Sequence, residues 1–528
     1  MYKRVLALIF IIFLLFNING QNIKVKATQT FDSTITQYEG KIRRTIYDAI
    51  SKKRDSISLS SLIARISSSK DNISVESYIN NIFFEVAGQN NINANGYYLN
   101  DTKCIYVIYY DNYNASELEN FIEDFIDKYI DDDDSELEKE IKTVSYIINN
   151  CEYDLEVADS VKEDEKLDSS SSNAFNAYGA LIEKKAVCKG YAQAINLILN
   201  RMGISSVSIN SKDLNHEWNV VKIDGKLYQL DSTWIMQKLD TTNCEFNNFD
   251  SSFFNFTVDE ENHKATDIDK EDLYNQCINK DYENYFNKNN YQLSFGYNLE
   301  SERVLCYNNH NFYINNLDGS NIFTTSASSN AEDNIVEGFF FNDKYYYICR
   351  PYDVCYLMEL NMNTGEVNNI ATLNSNITIY GASYMNQERI ISDCNFGFES
   401  NNTILVNYID GSIQKINVQP FEKTTNSHLV KFVDYDKMVI SQQRVKDGQN
   451  AISPNEPYRV GYKFIGWKDS VDNISTELTT YAKYEKNNDD LSDKKINYLS
   501  IGYSAAKYFL LIMCVCALII LTKVRKRY

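Results

Sequence analysis

Apolar residues recur at two different spacings along this chain, and the change of spacing marks out its elements. Leu137, Ile141, Val144 and Ile148 fall three or four apart, the spacing of one helix face. Just ahead, four aspartates at 131–134 lead into Ser135 and Glu138, placed as a capping box. A calcium loop is the other reading of those aspartates, but the alternate ligand spacing and the turn glycine are missing. A second helix is expected from Cys188, with Ala192, Ile195, Leu199 and Met202 in one stripe and Gly203 as its stop. Elsewhere period two takes over. Residues 96–112, rich in Tyr, Ile and Val, predict a strand pair. Residues 215–234 alternate on both sides of Asp224 and Gly225, the strongest short hairpin signal.

Further along, residues 290–446 read as short strands and turns, with Gly319, Gly365 and Gly411 spaced 46 apart. That period suits propeller blades of about 40–50 residues, and the expectation is an all-β region, propeller-like or sandwich. In "GYKFIGW", Tyr462, Phe464 and Gly466 alternate with Lys463, Ile465 and Trp467, as in a strand. Residues 155–173 are polar and read as a loop.

The two ends carry apolar runs of a different kind. Lys3 and Arg4 precede an apolar stretch at 5–16, and Ala27 offers a small residue for cleavage, so 1–27 reads as a signal peptide. An uncleaved N-terminal anchor is the alternative. Residues 504–522 hold one Lys and are long enough for a bilayer core of about 30 Å. Lys523, Arg525, Lys526 and Arg527 would mark 523–528 as a cytoplasmic tail. The expected placement is single-pass in the cell membrane, with the bulk of the chain outside.

Composition narrows the partners. A net charge of −20 with no basic stripe in the body excludes general nucleic-acid binding. Of 11 cysteines, Cys514 and Cys516 fall in the C-terminal run, and the odd remainder implies at least one free thiol. No CxxC pair occurs, so no zinc site is expected, and neither metal nor cofactor is called for.

The chemistry gathers around "EKKAVCKGYAQA", residues 183–194. Taken alone, Cys188 is a small hydrophobe of the kind cores use. Its expected place at a helix N-terminus, with Lys184, Lys185 and Lys189 near in sequence, favours a thiolate. The free amides there suit a developing oxyanion. If the hairpin loop is Asp224-Gly225, then His216 lies opposite Thr233, and Trp218 opposite Asp231. His216 and Asp231 then become diagonal neighbours on one face, about 7–8 Å apart at the backbone. A carboxylate beside a histidine fixes its tautomer, and a histidine beside a thiol takes its proton. Cys188, His216 and Asp231 thus make a complete nucleophile, base and orienter. His263, His310 and His428 are the other histidines, and none stands where this geometry needs one.

The stretches "NAYGALIEKKAVCKGYAQAINLILNRMGI" and "HEWNVVKIDGKLYQLDSTW" resemble the bacterial transglutaminase-like superfamily in V-C-x-G-Y-A, H-x-W-N and D-x-T-W. The segment "YIINNCEYD", 146–154, fits as its upstream helix. The resemblance covers about 135–240. Glu217 departs from the small residue common after the His, and the Gly often found before V-C is missing. It implies an α+β, papain-like core in which Cys188 attacks an amide carbonyl, His216 is the base and Asp231 orients it. Residues 447–486 resemble a Listeria–Bacteroides-type surface repeat (the InlB B-repeat) in 461–467 and 481–484, which implies a small β module.

The expected organisation is therefore a signal at 1–27 and an accessory α/β region at 28–134. A transglutaminase-like domain follows at 135–245, then a β-rich domain at 290–446, the repeat at 447–486 and the span at 504–522. The expected activity is a thiol enzyme on protein or wall-peptide amides, with transfer to an amine and hydrolysis both open. The competing expectation is a non-enzymatic surface binding or adhesion protein using its β domain and repeat.

Overall fold

The computed structural model describes residues 38–63, 72–99, 101–163, 172–235, 251–259, 263–266, 270–282, 294–308, 311–317, 320–326, 334–350, 355–373, 403–407, 413–418 and 426–487. The runs at 1–27 and 504–522, the tail at 523–528, Gly319 and Gly411 lie outside these residues. Among the described residues, no helix is long and apolar enough to cross a membrane. The fold is mixed α/β, with its strands divided among several separate sheets.

The capping box forms at the start of helix α4 (Glu136–Asn150). Ser135 Oγ accepts from the Glu138 N–H at 3.2 Å, and Glu138 Oε2 accepts from the Ser135 N–H at 2.7 Å. Asp134 closes on the buried Lys142 ammonium at 2.8 Å, which gives the aspartate run a role within the protein. Leu137, Ile141 and Val144 are buried as expected, with Ile147 completing the face and Ile148 only packed against it. The helix does not run on to 154. Its C-cap, Cys151, is extended, and the chain continues as strand β4 (Glu152–Tyr153), paired in parallel with β5 (Lys185–Ala186).

Helix α5 (Cys188–Arg201) follows and runs through the largest apolar cluster described. Ala192, Ile195, Leu199 and Met202 are buried, but so are Tyr191, Ala194, Leu197 and Ile198 on the other side. The single stripe read from the sequence underestimates this burial, because the helix is covered on both flanks. One flank is the antiparallel sheet of β6 (Ser206–Ser211), β7 (His216–Ile223) and β8 (Lys226–Leu230), with β7 central. Asn219 of β7 ties the two layers together, donating to the Ala192 carbonyl at 2.9 Å and to Asn196 Oδ1 at 2.8 Å. Gly203 ends the helix with φ +86°, a conformation that suits glycine.

The other flank comes from the preceding 90 or so residues. Helices α1 (Glu39–Ile50), α2 (Asn72–Gln89) and α3 (Ala115–Tyr129) join α5 in one continuous apolar core. The expected strand pair is present as β2 (Ala94–Leu99) and β3 (Cys104–Tyr109), flanked by β1 (Ser56–Ser58). A buried ion network pins the end of α5 to these helices. Arg201 reaches Glu123 at 2.5 Å, Glu119 at 2.7 Å and Glu85 at 3.1 Å, while Arg43 bonds Glu85 and, at 2.7 Å, Glu39. Charges removed from water this completely are stable only when paired.

Beyond the core, two four-stranded antiparallel meanders follow, β9 to β12 (294–326) and β13 to β16 (334–373). Leu305, Phe312 and Ile314 of the first meet Tyr345, Tyr347 and Leu360 of the second in a shared apolar cluster. A further pair, β17 (Thr403–Asn407) and β18 (Ile413–Asn417), stands after them. Closure of these sheets into a ring is not shown by the described residues.

Last comes a four-stranded sheet in the order β20 (Val439–Lys446), β19 (Ser427–Val433), β22 (Leu478–Lys486), β21 (Tyr462–Trp467). It crosses the 446/447 boundary drawn on the sequence, because β19 and β22 pair in parallel. This sheet docks back on the first helices. Arg44 binds Asp434 and, at 2.5 Å, Asp436; Arg444 binds Asp124 at 2.5 Å; Asn90 exchanges two hydrogen bonds with the Val439 backbone.

Candidate active site

Cys188 is the first residue of α5, after an extended Val187, and its thiol is free and partly exposed. Close packing holds this helix start in place. The Val187 N–H donates to the Ala174 carbonyl at 3.0 Å. A Cβ at Gly190 would lie 2.5 Å from that same carbonyl oxygen and 2.8 Å from the Ala186 side chain. Glycine is required there because any side chain would push the helix off the 174–187 segment. Tyr191 adds a tie, donating from its hydroxyl to the Cys151 carbonyl at 2.6 Å.

Two of the three neighbouring lysines, Lys184 and Lys185, are engaged elsewhere. Lys184 has φ +60°, turns inward over the rings of Phe121 and Tyr146, and bonds the Tyr146 hydroxyl at 3.0 Å. Burial pulls its ammonium down to about 8. Lys185 lies 3.6 Å from Asp154. A left-handed residue between β5 and the preceding turn reverses the direction of the first side chain, which adjacency in sequence cannot reveal.

The hairpin forms with the expected loop. Asp224 and Gly225 both have positive φ, and Ile223 pairs with Lys226. Pairing holds as far as Asn219 opposite Leu230 and then stops. The expected pairs His216–Thr233 and Trp218–Asp231 are not formed, because Asp231 turns the chain into the short helix α6 (Ser232–Ile235). Its Oδ1 accepts from the Thr233 and Trp234 N–H groups, both at 3.0 Å, as a helix cap does. The diagonal relation survives this change. His216 Nε2 lies 2.6 Å from Asp231 Oδ2, with both side chains buried. Trp218 and Trp234 stack on the imidazole, at 5.8 and 5.4 Å between centroids.

Electrostatics follow from that contact. Burial alone would lower the His216 pKa, but the Asp231 carboxylate, and then Cys188 beside it, push it up to about 10. Burial opposes ionisation of Asp231, yet His216 and then His263 hold it well below the usual carboxylate range. With Nε2 bound to Asp231, Nδ1 is the nitrogen left to exchange a proton with Cys188.

Two residues here escape sequence reasoning. Tyr153 is brought against Cys188 by the β4–β5 pairing, which sets it opposite Ala186. Burial raises its phenol pKa first, and the Cys188 charge adds to this, while the Cys188 backbone N–H, bonded to the phenol oxygen, works the other way. His263 is fully buried, with Nε2 2.9 Å from Asp231 Oδ2. The only sign of Tyr153 in the sequence is its place in "CEYD", and His263 has none.

His216, Asp231 and His263 together also offer the donor types that bind a divalent cation. Four-coordinate binding at about 2.0–2.2 Å would hold donors roughly 3.3 Å apart. Here Oδ2 lies 2.6 and 2.9 Å from the two nitrogens, closer than donors on one ion stand, and only the His216 contact is aligned as a hydrogen bond.

Comparison with known proteins matches residues 125–248 to the family described as a transglutaminase-like domain. The kyphoscoliosis peptidase of Mus musculus is 26% identical over 137 residues, covering 23% of this chain and 19% of that protein. The chain therefore spans about a fifth of that relative's length. A crystal structure of a TGase is 20% identical over 24% of this chain and 32% of that one, with a TM-score of 0.20.

Proposed function

We propose that the transglutaminase-like domain is a papain-like thiol enzyme that attacks protein or peptide amides through Cys188. The observation that carries this reading is the buried 2.6 Å bond between His216 and Asp231, formed beside a partly exposed thiol at a helix start. His216 takes the thiol proton at Nδ1, and the thiolate adds to the amide carbonyl. The Cys188 N–H and the Tyr153 hydroxyl, which meet beside the thiol, are the groups assigned to the oxyanion in this reading. Collapse returns the proton to the leaving amine and leaves a thioester on Cys188. An incoming amine or water then takes the acyl group, regenerating the thiol. The mouse relative's name, a peptidase, favours water as acceptor.

Location outside the cell, held by one C-terminal span, is part of this reading and is supported by the apolar runs at 5–16 and 504–522. The repeat-like module at 447–486 and the β region then carry the domain at the surface.

The test uses the purified chain and its Cys188→Ala variant with iodoacetamide, then with a glutamine peptide and a labelled amine. Turnover should vanish in the variant, and the fast phase of labelling with it, while Cys104, also a partly exposed free thiol, still reacts slowly in both proteins. Turnover or fast labelling that persists in the variant sinks the nucleophile assignment, and turnover to free acid without amine incorporation assigns hydrolysis.

A further inference from the structure

We propose that His263 is a positioning residue that shares the Asp231 carboxylate with His216 and thereby sets how far up the pH scale His216 keeps its proton. This rests on the thiol-enzyme reading above. Residue 263 lies beyond the 125–248 stretch that matches the family.

The segment is anchored. The His263 N–H donates to the Asp259 carbonyl at 3.0 Å, and Thr266 clasps the end of β6, donating to the Asn210 carbonyl at 2.9 Å. Its hydroxyl oxygen accepts from the Lys212 N–H at 2.7 Å. The His263 ring then lies among Trp218 and Trp234, both at 4.5 Å, Phe256 at 5.1 Å and Phe253 at 5.6 Å. A phenyl ring would fill such a box without the desolvation cost of two ring nitrogens. The polar feature that an imidazole adds is its contact with Asp231.

The groups facing His263 from each element can be named. Asp231 comes from the β8–α6 junction and His216 from β7, edge-on at 5.8 Å. Trp218 has its indole N–H bound to Gln229 at 2.9 Å, and Trp234, Phe253 and Phe256 carry no titratable group. Asp231 and His216 are thus the titratable neighbours.

The carboxylate's two oxygens have separate roles. Oδ1 is taken by two backbone N–H groups of α6, so the bond to His216 depends on Oδ2 alone. His263 Nε2 meets that same oxygen at 2.9 Å, too bent for a well-formed hydrogen bond, so it presents a polar N–H to an oxygen already bonded to His216. A second donor draws off part of the charge that holds the His216 proton. Removing it should make His216 a weaker acid.

The experiment is a side-chain ¹⁵N NMR titration of the full chain, in which four histidines keep assignment simple. In His263→Phe, which fills the box without a donor, the His216 titration should rise by about 0.5–1 pH unit. His263→Gln, which restores an N–H, should recover at least half of that shift. No shift, a downward shift, or an equal shift in Phe and Gln overturns the proposal; His263→Met serves if Phe does not fold. Turnover of a glutamine peptide by Cys188→Ala separately decides the thiol-enzyme reading, and the His216 titration does not depend on its outcome.

Discussion

His216 and Asp231 meet at 2.6 Å even though strand β8 ends one residue before Asp231. The contact is therefore made by a helix cap beside a strand end, and both Asp231 oxygens are in use. Replacing Asp231 with Asn keeps the cap and removes the charge. His216 should then titrate near the ordinary histidine range of about 6.5 instead of about 10, as read by NMR. Turnover should fall by about 10²–10⁴-fold. The stability sign follows: a raised histidine contributes fully below about pH 6.5 and loses its contribution as pH rises towards about 10. Asp231→Asn should flatten that decline in melting temperature.

Tyr153 is a candidate oxyanion donor. Tyr153→Phe removes one hydroxyl and keeps the ring that packs 6.3 Å from Tyr191. Turnover should drop by roughly 10–10³-fold with KM little changed, since the lost bond strengthens only as charge develops. A raised KM with kcat unchanged would assign Tyr153 to binding.

Glu140 is a stability liability at high pH. It is fully buried, and burial first, then Glu136, raises its carboxyl to about 8 against a hydrogen bond from Asn255. A carboxyl raised in the folded state stabilises below its unfolded value near 4.5, and this is lost as pH rises to about 8. Glu140→Gln should therefore melt close to wild type at pH 4–5 and well above it at pH 9. The gain is several kcal/mol at about 1.4 kcal/mol per pH unit, read by denaturant titration.

Arg201 couples the α5 end to α2 and α3. Arg201→Met leaves Glu119 and Glu123 buried without their cation, which costs about 3–5 kcal/mol. Activity should be lost at lower temperature together with the global unfolding signal. A variant that melts like wild type would show that these carboxyls take up protons at little cost.

What was legible in the sequence follows from local rules. The capping box, the Asp224-Gly225 turn and the Gly203 stop each depend on a few adjacent residues, and all three form. The register they impose brings His216 and Asp231 together. Non-local effects were hidden. Nothing near Asp231 in sequence shows that it would cap α6, and the inward turn of Lys184 depends on one left-handed backbone angle. Tyr153 reaches Cys188 through a two-residue strand pair, too short to leave a pattern. His263 arrives from a segment with no periodicity, and the ion network around Arg201 joins residues up to 116 apart.

The sheet that closes the chain back on α1 has a consequence for how the protein breaks. Arg44 and Asp434 are 390 residues apart, and Tyr458 lies under Lys41 at 4.9 Å. The molecule is thus latched where its first and last described elements meet, like a belt around the modules between them. A protease that nicks the chain once between modules should leave two fragments that stay together on a sizing column, and they should separate only when the latch is opened by denaturant.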